Sequence, residues 1–246
     1  MTTLGPDLAT ASPAATARSI LACPEAVNLV VDGVDDVLAD LRGPDGAGEL
    51  GMQDLAGVPT FSCPSGTRLV DAAVRRRRAL LTLESGLGAP GSAERALTLT
   101  LGGRLEARGR ERCECCDETR EGVVLVVDLV VLTPVTGHPD AVPHRVPVED
   151  FADTALVLNP GYLQRSVEHA NRCHQDELRR AVATATGTAV SRVIGVALSG
   201  LSTGGVEVQW VDPDGSHVRP ISFAHDAATP DDLGDLLRHH LHAGLC

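Results

Sequence analysis

The eleven residues GVVLVVDLVVL, 122–132, constrain this chain more than any other stretch. They are apolar and largely β-branched, shorter than the ~20 residues of a membrane-crossing helix, and interrupted by Asp128. Such a run reads as a strand covered on both faces, at the centre of a β-rich unit. The neighbouring segments continue the pattern. RALTLTLGGRLEA (95–107) alternates Leu97, Leu99 and Leu101 with threonines, the period of a half-buried strand. ALLTLES (79–85) and GVPTFSC (57–63) read as further strands, and GTRLVDAAVRRR (66–77) as a helix with Leu69, Ala72 and Ala73 on one side. ATARSILACPEAVNLVV (15–31) predicts a helix running into a strand, with Pro24 at the break.

After Pro134 the texture changes. Residues 136–161 hold four prolines, Pro139, Pro143, Pro147 and Pro160, and read as a linker with one short strand. Beyond it, YLQRSVEHANRCHQDELRRAVATATG (162–187) predicts one helix of five or six turns, ended by Gly187. Three strands follow, within 190–199, 204–213 and 216–223, with Asp214-Gly215 as the hairpin turn between the last two. A closing helix starts at Thr229, with Pro230 in its first position and Asp231 and Asp232 in its first turn. The expected fold class is α+β. A split β-barrel precedes a small α/β domain with a three-stranded antiparallel sheet and two helices. The expected divisions are a flexible tail (1–15), the barrel (16–132), a linker (133–159) and the C-terminal domain (160–246).

Composition narrows the function. With 21 basic and 33 acidic residues the net charge is −12, which repels nucleic-acid backbones, and five aromatic rings are too few for a base-stacking platform. Every basic residue is an arginine, and the absence of lysine excludes a P-loop, a kinase or a Schiff-base mechanism. No apolar run is long enough for a membrane span and the N-terminus carries no secretory pattern, so the expected location is cytoplasmic and soluble, with free thiols. Cys113, Cys115 and Cys116 form a cluster on what reads as an exposed connection; structural zinc needs a second cysteine pair, and none is present.

The second half resembles a known family. In VEHANRCHQDEL (167–178), His169, Asn171, His174 and Leu178 match the H-M-N-x-D-H-x-x-x-L signature of the C-terminal domain of HugZ-type haem-utilisation proteins. Arg219, Pro220 and Phe223 resemble the same domain's R-x-P-F-like ending. The first half is similar to the FMN-binding split barrel of pyridoxamine-phosphate-oxidase-like proteins, which precedes this domain in many relatives. The resemblance spans about residues 55–242, with Cys173 in place of the signature aspartate. It implies a homodimer formed through the barrel and a haem-binding protein of haem utilisation, in a family whose members include haem-degrading proteins. The alternatives are a flavin (FMN)-dependent oxidoreductase, and a regulatory or binding protein that has lost its cofactor.

Candidate residues follow from that resemblance. The ligand in haem-binding relatives is a histidine on a loop beyond the barrel, a description met by His138 and His144 and, at the chain's end, by His239, His240 and His242. His144 is the first candidate axial ligand and His240 the second. For FMN, Arg75 to Arg78 could replace the relatives' lysine on the phosphate; the alternative is a solvated run favoured by the helix dipole. No catalytic residue is assigned. On one straight helix His169 and His174 would be about 140° apart at 100° per residue, so they are not expected to share a metal, and no metal site is assigned. The structural reading of this stretch is that its polar groups anchor a helix to its sheet.

Overall fold

The computed structural model describes residues 12–41, 51–112, 119–135 and 142–241. Its contacts divide into two units, one ending at Leu156 and the other beginning at Val157.

The first unit is built on helix α1 (Pro13–Ala22), strands β1 (Pro24–Val31), β2 (Met52–Leu55) and β3 (Val58–Pro64), helix α2 (Arg68–Val74), strands β4 (Arg78–Ser85), β5 (Leu97–Arg112), β6 (Thr119–Pro134) and β7 (His144–Val146), and the single-turn helix α3 (Val148–Phe151). The strands form one antiparallel sheet in the order β1-β4-β5-β6-β3-β2, with β7 also on β6, curled into a half-barrel. Strand β6 spans 16 residues, long enough to change partners: β3 pairs with it over Arg120–Val124 and β7 over Val130–Leu132. The long β5–β6 ribbon bends at two irregularities, between Gly102 and Gly103 and between Ala107 and Gly109. At the first, a Cβ on residue 103 would lie 2.1 Å from the Val126 carbonyl oxygen, so only glycine fits.

The inner face carries Leu81, Leu83, Leu99, Leu101, Leu105, Val123 and Leu125, all buried as the alternation predicts. Helix α1 starts on a Ser12 cap with Pro13 at its first position and packs Ile20 and Leu21 into the same core. The expectation that GVVLVVDLVVL is covered on both faces fails in the single chain: Val126 is 46% exposed, while Val30 and Leu80, register partners on β1 and β4, are also exposed. The period of two sends those side chains outward. The proline-rich stretch contributes Val146 and Phe151 to this core.

Helix α1 also buries a charge. Arg18 is fully buried; its Nη1 donates to the Phe151 and Asp153 carbonyls at 3.2 and 3.3 Å, and its Nη2 lies 3.6 Å from Asp54. Burial pushes the Asp54 carboxyl up from its ordinary value, outweighing the nearby guanidinium.

The second unit comprises helices α4 (Pro160–Cys173) and α5 (Gln175–Thr186), strands β8 (Gly195–Ser202), β9 (Gly205–Asp212) and β10 (Gly215–Ser222), and helix α6 (Pro230–Leu241). The sheet is antiparallel in the order β10-β9-β8. The β9–β10 turn falls at Asp214-Gly215 as expected, its amides held by Asp212 Oδ1. Gly187 ends α5 in the left-handed conformation, and Thr229 caps α6 through its hydroxyl to the Asp232 amide. The fold class is α+β, with six α-helices among the described residues.

One expectation is corrected. The helix predicted over 162–187 is two helices, because His174 leaves the helical region at φ −118° and ψ 30°. Strand β8 is an edge, and the helix pair caps it with side chains. Asn171 Nδ2 donates to the Leu198 carbonyl at 2.9 Å, and its Oδ1 accepts from the Leu198 amide at 2.7 Å. Gln175 donates to the Val196 carbonyl at 2.9 Å, and Arg179 donates to the Ile194 carbonyl. Four helical residues rise about 6 Å and two strand residues about 6.7 Å, so residues 171, 175 and 179 meet alternate positions 198, 196 and 194, along β8 and the residue just before it. An unbroken helix would rotate these side chains by about 40° per step, roughly 80° over the three. The break at His174 resets that phase.

Candidate functional site

The cavity with the most distinctive chemistry lies within the second unit. About 380 Å³ in volume, it opens between α5, the β9–β10 hairpin and the end of α6, and its apolar walls include Leu178, Val182, Val208 and Ile221. Its polar side chains are Thr184 and Thr186 on α5, together with Trp210, Arg219 and His240. Strand register explains two of them. Trp210 continues the inward row of Val206 and Val208 on β9, and Arg219 is the β10 partner of Val208, on the same face as Ile221. That pair was legible from the hairpin turn and the period of two, although the sequence reading used Arg219 only as part of a likeness.

Trp210 stacks on His217 with ring centroids 5.0 Å apart. His217 Nε2 lies 3.0 Å from Asp212 Oδ1, and that hydrogen bond holds the Asp212 carboxyl below its ordinary range. Arg219 is exposed and makes no ion pair or hydrogen bond among the described residues. His240 stacks on Phe223 at 5.7 Å and meets His239 edge-on at 5.2 Å. Among the described residues its Nε2 is buried without a hydrogen-bond partner. Apolar walls, an indole, an unpaired guanidinium and an unsatisfied imidazole nitrogen suit a flat apolar ligand carrying a carboxylate.

The other expected residues lie elsewhere. His144 is exposed on β7, opposite Leu132, and lines a cavity of about 310 Å³ with Asp150 and Asp153 on its wall. Arg75 follows α2 as its exposed C-cap. Arg78 is engaged: its Nη2 lies 3.0 Å from both oxygens of Asp128, and Arg76 pairs with Glu106. His144 and His240 belong to different units. His138, His242 and the Cys113, Cys115 and Cys116 cluster fall outside the described residues.

The signature histidines form a second cluster, which the sequence reading missed. Because the helix breaks at His174, the rings of His169 and His174 meet edge-on, with centroids 5.1 Å apart and Nε2 atoms 3.3 Å apart. They share a cavity of about 440 Å³ with Arg165, Arg172 and Arg238, floored by Leu198 and Leu233. The sequence signal was present in the spacing but valid only for a straight helix.

The chain matches no protein-family profile and no curated protein. Among solved structures it is similar to a haem-binding protein from Mycobacterium smegmatis, at 15% identity and a TM-score of 0.38 over 98% of each chain. It is similar over 50% of its length to Hcp1 from Salmonella typhimurium (15% identity, 94% of that chain, TM-score 0.30). It is also similar over 49% to a type VI secretion system effector from Yersinia pestis (10% identity, 98% of that chain, TM-score 0.29). Likenesses this loose carry no argument about function. Among the described residues no helix is long and apolar enough to cross a membrane.

Proposed function

We propose that this chain binds haem in the cavity between α5, the β9–β10 hairpin and α6, where His240 would hold the iron and Arg219 would attract the carboxylates. The observation that carries the reading is that His240 lines this apolar-walled cavity while its Nε2, among the described residues, is buried with no hydrogen-bond partner. An unsatisfied buried nitrogen costs about 1–3 kcal/mol, a cost that coordination would remove. At about 380 Å³ the cavity is at the small end of ligand sites, so part of a haem would stay in solvent, and exposed Arg219 would be available to its carboxylates. Haem would supply iron and oxygen chemistry when bound. The chain's own residues bind and orient: Trp210 offers a flat apolar face, and Leu178, Val182 and Ile221 exclude water from one side.

His240 now ranks above His144. The aspartates beside His144, Asp150 and Asp153, would repel the carboxylates of haem, whereas among the described residues no acidic one lines the α5–α6 cavity. Within this reading, a role in haem utilisation, with or without ring opening, is what the family resemblance adds, and a homodimer would cover the exposed Val30, Leu80 and Val126. The flavin alternative is weaker, since two of the four arginines, Arg76 and Arg78, are already paired with Glu106 and Asp128.

The test is a ferric haem titration followed at the Soret band in the parent, His240→Ala, Arg219→Leu and His144→Ala. The expected result is a shifted band and weakened binding in His240→Ala, weakened binding alone in Arg219→Leu, and no change in His144→Ala. A parent protein with no Soret band, or a His240→Ala variant identical to it, overturns the proposal.

A further inference from the structure

Of the polar side chains near the α4–α5 junction, Asn171, Gln175 and Arg179 have structural work, gripping the edge of β8. His169 and His174 do not. Their imidazoles contact each other and, from His174 Nδ1, Glu177 at 3.9 Å, and no side-chain hydrogen bond ties either ring to a backbone group of the sheet. The His174 side chain is nevertheless only 12% exposed.

The ring geometry is specific. Two imidazoles on one tetrahedral zinc, at Zn–N distances of about 2.0–2.1 Å, place their nitrogens about 3.3–3.4 Å apart and their ring centroids about 5.2 Å apart. The observed separations are 3.3 and 5.1 Å. A straight nitrogen-to-nitrogen hydrogen bond of the same length would hold the centroids about 5.6 Å apart, because both rings would lie along the bond axis. The rings are therefore angled away from that axis. Glu177 Oε2 is 3.9 Å from the outer nitrogen of His174, longer than a hydrogen bond but on the side where a metal-bound histidine takes a carboxylate partner.

We infer that His169 and His174 form a binding site for a divalent transition metal of the zinc class, coordinated through both Nε2 atoms, with Glu177 beside the outer nitrogen of His174. Among the described residues no third histidine, cysteine or carboxylate joins them, so the remaining positions are open. An open site of two protein ligands takes water or an exogenous ligand in the others. Arg165 and Arg172, which line the same cavity, weaken the site for a bare cation and favour an anionic ligand on the metal, a carboxylate or a phosphate.

Zinc binding by the full chain tests this, measured by competition with a chromophoric chelator. The parent is compared with His169→Ala, His174→Ala, His169→Gln and, as a control, His225→Ala. His169 is exposed, so its variants should keep the parent's metal-free thermal midpoint. Each variant at His169 or His174 should lose one zinc equivalent, or at least tenfold in affinity for it, and His225→Ala should keep it. Cobalt in place of zinc should give tetrahedral visible bands that disappear in His169→Gln and carry no thiolate charge-transfer band. Identical zinc isotherms in the parent and the His169 variants overturn the inference. So does a cobalt spectrum with thiolate character, which would assign the metal to cysteines.

Discussion

Asn171→Ala asks whether the signature asparagine is a structural clamp. Its side chain makes two hydrogen bonds to Leu198, at 2.9 and 2.7 Å, on the open edge of β8. Each is worth about 0.5–1.5 kcal/mol net, so their loss should cost about 2 kcal/mol. In a unit of this size each kcal/mol corresponds to roughly 4–8 °C, which places the fall in melting temperature at roughly 8–16 °C. The single tryptophan, Trp210, lies on β9, so its fluorescence reports the second unit selectively. Asn171→Asp sharpens the test. The carboxylate keeps the bond from the Leu198 amide but turns an acceptor towards the Leu198 carbonyl, which disfavours the charged form. The folded-state pKa of that aspartate is raised, so the variant should regain stability as pH falls and the group becomes able to donate again. A fall below about 2 °C in Asn171→Ala, with unchanged hydrogen exchange at the Leu198 amide, would refute the clamp.

Two predictions concern the first unit. Arg18→Met leaves Asp54 buried without its cation and should cost about 3–5 kcal/mol, whereas adding Asp54→Asn should recover more than 1 kcal/mol in a double-mutant cycle; strict additivity would contradict the buried pairing. Burial pushes the Cys63 thiol up to about 11 from an ordinary 9.0, so the native state holds its proton where the unfolded chain has lost it. Stability from this group is complete below 9.0 and is lost as pH rises towards about 11. Alkaline denaturation followed by circular dichroism should therefore be shallower in Cys63→Ala than in the parent, and equal slopes would count against it.

The elements that sequence made legible are those governed by local rules. Alternation put Leu99 and Leu101 inside, Asp214-Gly215 set the hairpin, and Gly187 and Pro230 marked helix ends. What sequence hid depends on distant partners. Nothing local distinguishes Arg18 from a solvated helix arginine; its acceptors, Phe151 and Asp153, lie 133 and 135 residues away. The exposure of Val126 follows from what the outer sheet face lacks, which no period in the sequence records.

The same division separates the roles within the signature. Asn171 and Leu178 are accounted for by the scaffold, one on the edge of β8 and the other 1% exposed in the core. The helix break belongs to the scaffold too, since it keeps Asn171, Gln175 and Arg179 on one strand edge. It has a consequence for the histidines, however: residues that a straight helix would hold about 140° apart are turned onto each other. A structural role requires a polar side chain to satisfy something that folding has buried, and neither imidazole does so. The clamp and the histidine pair are therefore separable by mutation. Asn171→Ala should lower stability with zinc stoichiometry retained in the folded protein, and His169→Gln should do the reverse. If both variants changed both properties together, the stretch would be one structural unit and the metal assignment would lose its basis.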